Sequence, residues 1–320
     1  MKKDCITRVE GIKVGNAQDE EKLTGCTVIL APPEGAVAGA DIRGGAPGTR
    51  ETALLSPEMM MDRVNAIYLG GGSAWGLDAA GGVMDFLAEK GQGFKTGGGL
   101  VPIVPGAIIY DLEAGERAWP DREMAYLAAK RASSGPVLEG SVGAGTGATV
   151  GNLGGPGKTM RGGLGTACRV LSGGGVVGAL AVVNPLGEVR DPETGKVIAG
   201  IWEGGGFGNS CVELENLAQK VSPGRNTILG VVATSFELNK AEATRIAQMA
   251  HDGLARTVYP AHTMWDGDII FTLSTGDKKG DLSLIGMVAA EVMARAIMEG
   301  VKKASHLESL PAYSSLFPGK

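Results

Sequence analysis

The chain has 320 residues, 43% of them hydrophobic, enough to bury a large core as one big domain or two modest ones. Its net charge of -5, with acids and bases interspersed, leaves no basic stripe to track a phosphate backbone, which argues against nucleic acid as a partner. No stretch approaches a membrane span, and the opening Met1-Lys2-Lys3-Asp4-Cys5 leads to Arg8 and Glu10 instead of an apolar run, so a cytoplasmic enzyme is expected.

In chain order, strands are expected first over 27–30 and 66–68, short apolar runs bounded by turn residues. Helices follow over 74–90 and 122–131, where apolar residues recur at three- and four-residue spacing with charged faces between. Strands over 176–183 and 228–234 come next. The helix over 240–257 carries its own start signal: Asn239 as N-cap with Glu242 three residues on, the reciprocal pattern that satisfies orphan amides. A strand over 269–273 and a helix over 282–303 complete the series. The turn-rich 190–196 and the weakly patterned 216–226 are too short to link domains. One α+β domain over 1–320 is therefore expected, with the strand from Ile228 buried among strands from the first two-thirds of the chain.

Glycine is the compositional outlier, with 53 residues clustered beside β-branched runs, the mark of tight turns and close backbone approach in a folded protein. Two clusters invite a nucleotide assignment. Gly143-Ala144-Gly145-Thr146-Gly147-Ala148 fits the dinucleotide pattern, yet Thr149-Val150-Gly151 after it makes a poor helix start and no acid follows at the required distance. Asn152-Leu153-Gly154-Gly155-Pro156-Gly157-Lys158-Thr159 has Asn152 where a phosphate loop needs its first glycine, and Pro156 removes an amide donor. Glycine-rich backbone lining a cavity or a turn is favoured for both. The four cysteines, Cys5, Cys26, Cys168 and Cys211, lie far apart with no Cys-x-x-Cys pair, so they are expected to be reduced, and no metal or cofactor is expected.

Chemistry concentrates at two places. Pro223-Gly224-Arg225-Asn226-Thr227 runs straight into the apolar Ile228-Leu229-Gly230-Val231-Val232-Ala233. A threonine at the head of a buried strand can attack the carbonyl before it, cut the chain and expose its own amine as a base; an ordinary turn is the competing assignment. Asp266-Gly267-Asp268 enters another strand, and carboxylates two apart at a strand mouth can converge on one hydroxyl, although a solvated Asp-Gly turn has the same spacing. His251, His262 and His306 show no ligand spacing and read as surface or packing residues.

Six motifs together resemble one family over most of the chain: Asp41-Ile42-Arg43-Gly44-Gly45-Ala46-Pro47-Gly48-Thr49-Arg50-Glu51, Gly71-Gly72-Ser73-Ala74-Trp75-Gly76-Leu77-Asp78, the Gly143–Ala148 run, Val183-Asn184, Asn226-Thr227 and Trp265-Asp266-Gly267-Asp268. The sequence is similar to the self-processing peptidases related to L-aminopeptidase D-Ala-esterase/amidase, with the β-peptidyl aminopeptidases and nylon-oligomer endo-hydrolases. That resemblance implies a four-layer α-β-β-α sandwich of N-terminal-nucleophile type. It also implies a chain cut once by itself, into 1–226 and 227–320, and tetramers of the cleaved pair.

Carried over residue by residue, the resemblance makes Asn226-Thr227 the self-cleavage bond and Thr227 the nucleophile, with Asp266 and Asp268 the acidic pair beside it. Asn184 matches an asparagine whose amide can donate to a tetrahedral oxyanion. Tyr110 matches an aromatic substrate-binding position. One departure is clear: Asn152 stands where a lysine is expected, and Lys158 follows six residues later as the candidate replacement. The implied substrate is a small peptide or oligoamide, with α-peptides, β-peptides, D-Ala amides and nylon-type oligoamides all open. The competing assignments are a self-processing acyltransferase of ornithine-acetyltransferase type and a non-catalytic nucleotide-binding module.

Overall fold

A computed structural model describes residues 4–217 and 226–318. The strands of its two large sheets are, in chain order, β1 (Lys13–Asp19), β2 (Thr24–Leu30), β3 (Ala36–Ile42), β4 (Thr49–Arg50), β5 (Arg63–Val64), β6 (Ala66–Gly70), β7 (Gly106–Ile108), β8 (Gly163–Val170), β9 (Val176–Asn184), β10 (Thr227–Phe236) and β11 (Ile269–Lys278). The four principal helices are α1 (Ala80–Glu89), α2 (Arg122–Arg131), α3 (Lys240–Thr257) and α4 (Leu282–Lys302). One sheet has the order β1-β2-β6-β7-β4 and the other β8-β9-β10-β11-β3-β5.

Side-chain alternation turns these two sheets into four layers. Along β10, Ile228 and Val232 enter one apolar cluster, with Val177, Ala179, Ala181 and Val183 of β9 and the inward faces of α3 and α4. The intervening Leu229, Val231 and Ala233 enter a second cluster, against Ile29, Ile67 and Leu69 of the first sheet. The outer face of that first sheet, through Val28, Ala66 and Tyr68, packs on α1 and α2 in a third. Three buried interfaces between helix, sheet, sheet and helix make the α-β-β-α sandwich, and strands buried on both faces explain why they read as continuous apolar runs.

The capping box forms as expected: Glu242 N–H donates to Asn239 Oδ1 at 2.9 Å and Asn239 N–H to Glu242 Oε2 at 2.9 Å. The helix expected over 74–90 divides, since Ser73–Ala79 is a 3₁₀ segment and the α-helix starts at Ala80. Strands β1, β3 and β8 carry too weak an apolar pattern to be expected. In β8 the reason is packing: a Cβ at Gly165 would fall 2.1 Å from the Ala296 carbonyl oxygen, so the glycines that read as strand breakers are where α4 lies directly on the sheet. The Gly143–Gly145 run is a 3₁₀ turn wedged against β8, with a Cβ at Gly145 only 2.4 Å from the Leu164 amide, and not the start of a phosphate-binding helix. Pro223-Gly224-Arg225 lies outside the described residues.

Candidate active site

Register brings the predicted residues together. Strands β9 and β10 are antiparallel with Asn184 opposite Thr227, so the last residue of one apolar run faces the first of the next. Strands β10 and β11 are parallel, Leu229 opposite Ile269, and the same offset continues outward to an isolated bridge between Asn226 and Asp266. Gly267 thus sits beside Thr227. A Cβ at Gly267 would lie 2.8 Å from Thr227 Oγ1, which restricts this position to glycine.

Two donors converge on the carbonyl of Asn226. The Thr227 hydroxyl donates to it, and Gly267 N–H donates to the same oxygen at 2.8 Å. The hydroxyl and an amide aimed at the carbonyl oxygen are the components needed for attack on that carbonyl and for holding the oxyanion that results. Asn226, Thr227, Asn184 and both acids are buried.

The acid pair is divided in its bonding. Asp268 Oδ1 accepts from Ile228 N–H, the amide after Thr227, at 2.7 Å, and its Oδ2 accepts from His262 N–H at 3.1 Å and lies 2.9 Å from His262 Nδ1. Asp266 Oδ2 accepts from Thr263 N–H at 2.9 Å and from Thr263 Oγ1 at 2.6 Å. Burial first, and the adjacent Asp268 charge second, push the Asp266 carboxyl up to about 7 against the Thr263 bonds that lower it. Such a perturbed carboxyl is the kind of group found at functional sites.

Asn184 is fixed from two sides: Thr149 N–H donates to its Oδ1 at 2.9 Å, and its Nδ2 donates to the Tyr110 carbonyl at 3.2 Å. Thr149 also donates from Oγ1 to Asn152 Oδ1 at 2.8 Å, so position 152 does reach this network, as an asparagine. Lys158 does not: its ammonium pairs with Glu203 at 3.1 Å, both side chains about half exposed, and it has no hydrogen bond to the network among the described residues. Tyr110, Asp111, Glu113, Thr149 and Asn152 line a cavity of about 280 Å³ next to Asn184. Its acids are Glu113, which accepts from Tyr110 Oη at 3.0 Å, and Asp111. Burial pushes Asp111 up to about 6 despite hydrogen bonds from Gly72 N–H and Thr24 Oγ1.

His262, Thr263, Thr149 and the Gly267 amide are not singled out by sequence. His262 in particular has only its nearness to Asp268 as a signal, and that spacing suits a turn equally well. Among the described residues, no cluster of three or more His, Cys, Asp or Glu side chains is disposed to hold a metal.

Comparison with known proteins shows the family. The profile of peptidase family S58 matches residues 4–312. An uncharacterized aminopeptidase of Mycobacterium leprae is 40% identical, over 99% of this chain and 95% of its own. The 6-aminohexanoate-oligomer endohydrolase of Paenarthrobacter ureafaciens is 33% identical, over 91% of this chain and 84% of its own. Among solved structures, the L-aminopeptidase D-Ala-esterase/amidase of Ochrobactrum anthropi, described as a variant of the Ntn hydrolase fold, superposes with a TM-score of 0.70 at 19% identity, over 98% of this chain and 92% of that one.

Proposed function

The chain belongs to peptidase family S58 and is a peptide or amide hydrolase, and on that premise we propose that it cuts its own Asn226–Thr227 bond and then uses Thr227 as an N-terminal nucleophile. The observation carrying this is the convergence of the Thr227 hydroxyl and the Gly267 N–H, at 2.8 Å, on the Asn226 carbonyl. Thr227 Oγ adds to that carbon, Gly267 N–H takes the oxyanion, and the C–N bond breaks as the hydroxyl proton passes to the leaving nitrogen, leaving an ester and a free amine. Water then hydrolyses the ester, releasing the Asn226 carboxylate and restoring the hydroxyl.

The new α-amine, with a typical pKa of about 7.7 to 8.0, takes the hydroxyl proton when a substrate amide enters and returns a proton to the leaving amine. Asn184 opposite Thr227 and the Gly267 amide hold the second oxyanion. Asp268 orients the strand through Ile228, and Asp266 exchanges a proton in the same pH range as the amine.

We place the substrate in the cavity walled by Tyr110, Glu113 and Asp111, whose carboxylates favour a cationic group. An amine-bearing peptide or oligoamide fits, in keeping with relatives named for an aminopeptidase and for 6-aminohexanoate oligomers. Tetramers of cleaved pairs in the cytoplasm complete the proposal; Leu284 and Met287, one turn apart and exposed on α4, supply apolar surface for such assembly. Neither an acyltransferase nor a nucleotide-binding module is favoured by the family match.

Intact mass under denaturing conditions tests this. Wild-type protein should give fragments 1–226 and 227–320, whereas Thr227→Ala should stay whole and lose amide hydrolysis. Two fragments from the alanine variant would remove Thr227 from the role.

A further inference from the structure

Asp268 is held more tightly from the side away from Thr227 than its place in an acid pair requires. Its Oδ2 faces both the main-chain N–H and the ring Nδ1 of one residue, His262, at 3.1 and 2.9 Å. His262 achieves this double contact with a φ of +57, a left-handed conformation that is unfavourable for a non-glycine residue and persists where surrounding structure demands it.

The ring's other neighbour is His251, edge-on with centroids 4.8 Å apart. His251 is fully buried and its Nε2 lies 3.0 Å from the Asp41 carbonyl, so that nitrogen carries the proton. Burial lowers His251 to about 4, keeping it a neutral wall that does not compete for Asp268. Behind it stand Asp41, whose Oδ2 is 3.6 Å from His251 Nε2, and Arg43, whose Nε donates to that same carboxylate at 2.7 Å. Asp266 accepts from the backbone and hydroxyl of Thr263, the residue after His262. The ionisable groups around His262 are therefore Asp268 in contact, His251 against the ring face, and the Asp41–Arg43 pair beyond.

We propose that His262 is a positioning residue of the acid pair: its main-chain and ring N–H groups hold the Asp268 carboxylate aimed at the amide after Thr227. The proposal rests on the nucleophile assignment above and adds a residue to that site. Two N–H donors from one residue fix both the place and the direction of the carboxylate they hold.

The test compares His262→Leu, which removes the ring donor, with His262→Asn, which tolerates a left-handed backbone and can present an amide N–H where Nδ1 stood. For amide hydrolysis, His262→Leu should lower kcat/KM about 10–100-fold. His262→Asn should recover most of the rate. In wild-type protein labelled at histidine nitrogen, NMR at pH 7 should find His262 protonated at Nδ1.

An unprotonated Nδ1 overturns the proposal whether or not the leucine variant folds. So does an asparagine variant as impaired as the leucine one. Undiminished activity in Thr227→Ala would instead refute the nucleophile assignment, and the NMR result would stand apart from it.

Discussion

Replacing Gly267 with alanine probes the attack geometry without removing a functional group. The added Cβ would lie 2.8 Å from Thr227 Oγ1 and 2.9 Å from the Ala46 carbonyl oxygen, about 0.7 Å inside the roughly 3.5 Å of comfortable contact. The Ala46 side cannot easily yield, because Ala46 N–H is bonded to the Asp266 carbonyl at 2.8 Å. The Thr227 hydroxyl must move instead, away from the Asn226 carbonyl. A misplacement of order 1 Å costs roughly 10²-fold in rate, or about 2.7 kcal/mol in the barrier, while the crowding destabilises the fold by about 1–3 kcal/mol. Gly267 N–H is retained, so the loss reports hydroxyl position and not the oxyanion donor. Following the cleaved fraction of freshly synthesised protein by denaturing electrophoresis, Gly267→Ala should process about 100 times more slowly than wild type. Gly173→Ala, with nothing within 4 Å of its Cβ, should process at the wild-type rate. Cleavage of Gly267→Ala within threefold of wild type, at an unchanged melting temperature, would refute the reasoning.

The raised Asp266 carboxyl has a consequence for stability. Its value in the folded protein, about 7, lies above its ordinary 3.8, so the folded state binds the extra proton; stability is lost as pH rises from about 4 to about 7, by up to roughly 1.4 kcal/mol per pH unit. In an uncleaved Thr227→Ala background, melting curves should therefore show Asp266→Asn gaining on its parent between pH 4 and pH 8, and a constant gap would contradict the assignment. Lys158→Met should leave amide hydrolysis within about twofold, because a half-exposed pair with Glu203 is worth only ~0–1 kcal/mol; a loss beyond tenfold would bring Lys158 into the chemistry.

The legible and the hidden parts of this sequence divide along physical lines. The apolar runs that form β2, β6, β9, β10 and β11 are legible because each contributes large side chains to two buried faces. Strand β8 is not, since Gly163 and Gly165 remove the very side chains that pattern reading counts, to let α4 approach. Strand β1 pairs along its whole length with β2, but its Asn16, Gln18 and Asp19 give it no apolar signal. At the site, Thr227, Asn184, Asp266 and Asp268 are readable as motif residues, and the sheet register explains why they meet. Lys158 is suggested only by sequence proximity, whereas Asn152 itself occupies the network through Thr149. The His262 contribution depends on a left-handed backbone at one residue, a feature that no side-chain pattern encodes.

The order of the second sheet would govern how the molecule behaves after the proposed scission. Strands β10 and β11 lie between β9 and β3, so a piece beginning at Thr227 would be threaded through the middle of the other piece, hydrogen-bonded to it along both edges. Opening one peptide link there would free a chain end without loosening the body around it. The two polypeptides would purify, melt and refold as one object, and neither gene half expressed alone would have a complete sheet to fold onto.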